Sequence, residues 1–347
     1  MPVSPTAEGF RAAFRRPLFT FAEITWRWVV GATATVLLFF DLFEFLDTLP
    51  VRSGELLFLR TRNPFLVSQA LAHILRGSIT RGLLSLILAI LLLTVIWMLA
   101  ASLARQAILE AMIDYFRERF RDDFKIANQA DVGAMVGVSP RDRFFALLRL
   151  NFLRIVVAVA GLIGLAGAAT IAGFVSSPTH PRPALAFVIL LPVSAIVCLI
   201  WCELNWLLSL ASIFVVRDAD DAVGAISSAV TLCRERTGAV FAVSTWTGLG
   251  HLIAFVGAST VVSVPIALAG VLPWRLVAVA VILVTLAYFA VSDWLYTARL
   301  AGYVCIAELP DALLVPAAPP MITPPSPAAT IDRDELILSD VPQPVTG

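Results

Sequence analysis

Apolar residues in this chain gather into six long runs, about Trp28–Leu46, Leu83–Leu103, Leu153–Val175, Ala184–Leu210, Val240–Leu268 and Leu272–Tyr296. Each supplies about the 20 residues that a helix needs to cross a hydrocarbon core roughly 30 Å thick. In that core a lone segment can satisfy its backbone groups only by closing hydrogen bonds on itself, as a helix does. The pattern therefore predicts an all-α fold, a polytopic transmembrane helical bundle of about six spans. The fourth run contains Pro192, and the fifth contains Gly248, Gly250, Gly257 and Pro265, so both helices are expected to kink or tilt. In the third, "AVAGLIGLAGAATIAGF", Ala160, Gly164 and Ala168 stand four apart and form a small-residue ridge for close helix packing.

The segments between the runs carry a different periodicity. In "RQAILEAMIDYFRERFRDDF", Leu109, Met112, Ile113, Phe116 and Phe120 share one helical face, while Glu110, Asp114, Arg117, Glu118 and Arg121 fall on the other. This segment reads as an amphipathic extension of the second span. Ser139-Pro140-Arg141-Asp142 then reads as a helix start that runs on into the third span. Between the fourth and fifth runs, "VVRDADDAVGAISSAVTLCRERTGAV" predicts a short interfacial helix. Asp218 is its expected cap, with Asp221 in the first turn. Val223, Ile226, Val230 and Cys233 form its apolar stripe, and Arg234 and Arg236 close its last turn. Residues 1–27 read as an N-terminal segment of mixed character, and 309–347 as a disordered proline-rich tail. In that tail "DELILSD" is a candidate docking segment for a protein partner.

Composition agrees with a bilayer as the solvent. Of 347 residues, 59% are hydrophobic and 14% charged, and the net charge is zero, which argues against a nucleic-acid partner. With both termini cytoplasmic, 18 of the 25 Lys and Arg residues lie on the inner side, so N-in, C-in is expected. The first outer loop, 47–82, runs against that bias with Arg52, Arg60, Arg62, Arg76 and Arg81. Its "NPFLVSQALAHILRGSITRG" either projects outward or lies along the interface.

Signs of chemistry are sparse. No phosphate-binding loop, nucleophile elbow or zinc-binding helix motif occurs, so no catalytic residue, metal or cofactor is assigned. The candidates are the ionisable residues in or beside the spans, because an unpaired charge there is costly. Asp41, Glu44 and Asp47 form a polar stripe opening toward the outer end of the first span. Only Asp41, about 20 Å along the helix from Trp28, is expected to be intramembrane. Arg154, Glu203 and Asp293 fall near the inner boundary, where Arg154 is expected to pair with either acid.

The stretch "DAVGAISSAVTLCRER" between two spans resembles the membrane domain that accompanies some bacterial glycerophosphodiester phosphodiesterases, and related stand-alone bacterial membrane proteins of unknown function. The match is carried loosely by Ala225, Ser228, Thr231 and Arg234. The catalytic domain of those enzymes, with its His-Arg-Gly start and Glu-x-Asp metal pair, is absent. The resemblance, together with the lack of a catalytic set, leads to the expectation of a multi-pass, non-enzymatic protein of a bacterial cytoplasmic membrane, a scaffold or accessory factor in envelope or lipid handling. The alternative is a small-solute or ion transporter that uses the intramembrane acids.

Overall fold

A computed structural model describes residues 3–51, 63–120, 139–175 and 182–309. Among these residues the chain forms nine helices and no strand. They are α1 (Pro5–Arg15), α2 (Pro17–Asp47), α3 (Pro64–Leu75), α4 (Ile79–Arg119), α5 (Pro140–Val175), α6 (Pro183–Arg217), α7 (Ala222–Glu235), α8 (Thr237–Ala267) and α9 (Trp274–Glu308). Six of them, α2, α4, α5, α6, α8 and α9, are long and apolar enough to cross a membrane. Twelve-residue α3 reaches only about 18 Å and cannot. The expected tail and its "DELILSD" island lie outside the described residues.

Five of the six spanning helices clearly overshoot their apolar run, always toward the end that holds the N-terminus. Helix α2 begins at Pro17, so it runs through the expected boundary at Trp28, and α5 begins at Pro140. Helices α4, α6 and α9 continue to Arg119, Arg217 and Glu308. The 41 residues of α4 span about 60 Å, twice the hydrocarbon thickness. These extensions, with α1 and α7, enclose the hydrophobic core: Phe19, Leu109, Met112, Phe116, Leu147, Leu150, Ile213, Tyr303 and Ile306 are all buried in it. Outside lipid such burial is worth about 1.5–3 kcal/mol per large side chain. By contrast, the most apolar stretches of α2, α4, α6 and α8 contain no buried residue. The molecule is thus a packed helical pedestal bearing three apolar hairpins, α2–α4, α5–α6 and α8–α9.

Helix α9 is the hub, touching α1, α2, α4, α6 and α8. Helix α1, read from sequence as part of a mixed N-terminal segment, docks on it with Ala12 and Ala13 buried. Gly9 lies so close to Gly302 and Ala298 that backbone meets backbone. Phe10 meets the Trp294 ring at a tilt and Phe14 meets it edge-on, with ring centres 5.5 and 4.9 Å away. At the far end of α9, Arg217 donates to the Ala307 carbonyl at 2.7 Å and Arg236 to those of Leu309, at 2.8 Å, and Ile306. Two arginines thereby satisfy carbonyls that a helix end leaves open. Glu308 receives Arg117 at 3.1 Å, and Glu8 receives Arg119 at 3.1 Å, which tie α4 to α9 and to α1.

Three sequence readings shift by a register. On the third span Gly164 packs on Val197 and Ala168 is buried, but Ala160 is exposed. Gly161, against Trp201, makes the next close approach instead. The cap of α7 is Asp221, whose Oδ1 accepts from Gly224 N at 2.8 Å, not Asp218, which follows the last residue of α6. The face of α7 turned inward is Ala225, Ala229 and Leu232; Val223 and Val230 point out, with Ile226 and Cys233 half-buried between. On α7 the alanines take the close contact because small residues let helices approach, and the valines turn toward the surroundings. The face of α4 follows the reading, with Leu109, Met112, Ile113, Phe116 and Phe120 all buried.

Candidate functional site at the membrane boundary

Where the pedestal meets the apolar spans, α2, α4, α5 and α9 bring six charged side chains together. Glu23 and Arg27 lie one turn apart on α2, joined at 2.6 Å, and Glu23 is 1% exposed. Arg27 also donates to Asp293 Oδ1 on α9 at 2.8 Å, and Trp28 Nε1 holds the other oxygen, Oδ2, at 3.1 Å. Trp26 Nε1 donates to Glu23 Oε2 at 3.0 Å. From α4, Arg105 comes within 3.8 Å of Glu23 and donates to the Tyr296 hydroxyl, which also pairs with Ser209 of α6 at 3.2 Å. The guanidiniums of Arg27, Arg105 and Arg299 lie 4.3, 5.1 and 5.2 Å from the centre of the Tyr296 ring. Beside them, Arg154 of α5 donates to Asn151 Oδ1 at 3.3 Å, and Asn151 Nδ2 donates to Ser102 of α4 at 2.8 Å.

This arrangement changes the role of two sequence candidates. Asp293 is buried, as an ionisable residue in a span must be if it does not face water, but its partners are Arg27 and Trp28 rather than Arg154. Glu203 is exposed on α6, away from the pairing expected for it. Arg27 already lies on the same helix as Glu23, so one guanidinium bridges both buried acids. The signal was present: Glu23 and Arg27 at i, i+4, with the acid N-terminal, is the favoured order for a helical pair. It sat ahead of the first apolar run, in the segment read as mixed.

The outer acids lie elsewhere. Asp41 accepts a hydrogen bond from Ser85 of α4, and Glu44 is exposed. Asp41 lines an open groove of about 460 Å³ with Arg81, Leu84, Ser85, Leu88, Ala89 and Leu92, so the groove faces the surroundings of the α2–α4 hairpin. Of the interfacial-helix residues, Asp218 accepts from Arg217 at 2.8 Å, Asp221 caps α7, Arg234 is exposed and Arg236 caps α9. Among the described residues no three His, Cys, Asp or Glu side chains gather to hold a metal ion.

The chemistry open to the boundary site is electrostatic. Charge-assisted bonds of Arg27 join α2 to α9, Arg105 of α4 lies beside Glu23, and the neutral Asn151–Ser102 bond ties α5 to α4. Comparison with family models, curated proteins and solved structures finds no match for this chain.

Proposed function

We propose that this integral membrane protein is a non-enzymatic scaffold or accessory factor in envelope or lipid handling. On this reading it sits in a bacterial cytoplasmic membrane with both termini and the pedestal inside. One observation carries the proposal: the acids that a transport mechanism would use are not arranged along a common path. Asp41 bonds Ser85 in a groove on the outside of one hairpin, Glu203 is exposed, and Asp293 is held between Arg27 and Trp28. A carrier needs a site that exchanges its ligand, and a carboxylate fixed by two donors within the protein is poorly suited to that. The pedestal adds a positive argument, since five of the spanning helices continue past their apolar stretches to build it. The likeness of "DAVGAISSAVTLCRER" to phosphodiesterase-associated membrane domains supports the lipid setting.

Flux measurements test this against transport. Purified protein in liposomes under imposed proton or sodium gradients is expected to give the same leak as protein-free vesicles, and Asp41→Asn should change nothing. A flux that wild type carries and Asp41→Asn abolishes would establish the transporter instead.

A further inference from the structure

The boundary cluster is out of charge balance. Arg27, Arg105 and Arg154 face Glu23 and Asp293, and Arg27 already engages both acids. Arg105, only 5% exposed, leaves its Nη1 without a hydrogen-bond partner, and Arg154 leaves both Nε and Nη2. Buried donors of this kind are rare and ask for an occupant. The geometry narrows its nature. Nε and Nη2 share one edge of the guanidinium plane, the fork that takes two oxygens of a carboxylate or phosphate side by side. Asn151 holds the remaining nitrogen, Nη1, and through Ser102 anchors Arg154 to α4 one turn from Arg105. The Arg154 guanidinium lies within electrostatic reach of Arg105 and Arg27, whose like charge opposes it, and of Glu23, whose charge favours it. Arg154 itself is only half-buried on α5, so the site adjoins a surface at the level where the apolar spans begin.

We propose that Arg154, assisted by Arg105, is a binding site for one phosphate group, presented either by a phospholipid headgroup at the membrane boundary or as free phosphate. Two oxygens would take the Nε–Nη2 edge of Arg154, and the negative charge would offset the excess of the cluster. The proposal stands on this geometry alone and is independent of whether the chain is a scaffold.

Thermal unfolding of delipidated protein in a neutral detergent tests it, with three probes added separately: phosphatidylglycerol, diacylglycerol with the same acyl chains, and inorganic phosphate. Wild type is expected to gain about 4 °C or more with phosphatidylglycerol and nothing with diacylglycerol. Arg154→Gln should lose that gain while melting no lower than wild type before lipid is added, because it removes an unbalanced charge. Arg154→Lys, which keeps the charge but not the two-donor edge, should lose most of the gain, and Arg149→Gln should keep it. An equal gain with inorganic phosphate supports the site and assigns it to free phosphate. A gain that diacylglycerol matches, that Arg154→Gln retains, or that never occurs would overturn the proposal. So would Arg154→Gln melting well below wild type without lipid, since Arg154 would then be paired within the protein.

Discussion

Gly9 shows how a single residue sets the position of an entire helix. A Cβ built there would lie 2.5 Å from the Ala298 carbonyl oxygen and 2.8 Å from the Gly302 nitrogen. Both are backbone atoms of α9, so neither can swing aside as a side chain would. Gly31, on the apolar part of α2, has nothing within 4 Å of the same position. Within a helix, alanine is ordinarily better than glycine by about 0.5–1 kcal/mol. Gly31→Ala is therefore expected to raise the melting temperature slightly or leave it unchanged. Gly9→Ala should lower stability by about 1–3 kcal/mol, the usual range for forced overpacking. Melting curves in detergent check both, and equal shifts would show that α1 does not depend on this contact. The docking of α1 was not legible in the sequence because its inward face is Glu8, Gly9, Ala12 and Ala13. Such a face lacks the bulky apolar residues by which an amphipathic helix is recognised.

At the scale of an element, α7 shows what periodicity specifies and what it leaves open. The acidic turn offers three caps, Asp218, Asp220 and Asp221, and local rules alone do not choose among them. The preceding helix decides. Helix α6 continues to Arg217, Ala219 turns the chain with a φ of 58°, and Asp220 is taken by Ser228 at 2.8 Å. Asp221 is then the acid left beside the first free amides. Removing a cap of this kind costs about 1 kcal/mol, whereas the exposed Asp218–Arg217 pair is worth little. Asp221→Ala is thus expected to speed amide hydrogen exchange across the first turn of α7, and Asp218→Ala to leave it near the wild-type rate. The inward face was misjudged for a related reason. Two stripes run along this helix, one of valines and one of alanines, and ranking by hydrophobicity selects the valines. A close helix contact selects the alanines, and a membrane boundary tolerates the valines facing out.

Over the whole molecule, legibility divides at the membrane surface. The six spans could be read as runs because lipid forces each segment to close its own hydrogen bonds, which makes the requirement local to about 20 residues. The pedestal and its charge cluster depend on residues distant in sequence: Arg27 and Asp293 are separated by 266 positions. No window on the chain contains such a pair. Arginine and lysine near the ends of spans bias those ends toward the cytoplasm, and the rule counts these residues whether or not they later find acidic partners. In the described structure Arg27, Arg105, Arg117, Arg119, Arg143, Arg149, Arg154 and Arg217 all belong to the pedestal side, while Arg76, Arg81, Arg182 and Arg275 lie toward the other. Several of the pedestal arginines, Arg27, Arg117 and Arg119 among them, also bind acids of other helices. An inner pedestal is the expected outcome. It can be checked with single cysteines at two exposed positions, Glu118→Cys near the end of α4 and Thr48→Cys at the opposite end of α2, in a background with the native cysteines replaced. A membrane-impermeant maleimide should modify Thr48→Cys in intact cells, and Glu118→Cys only after the membrane is opened. The reverse pattern would place the pedestal outside and invert every span.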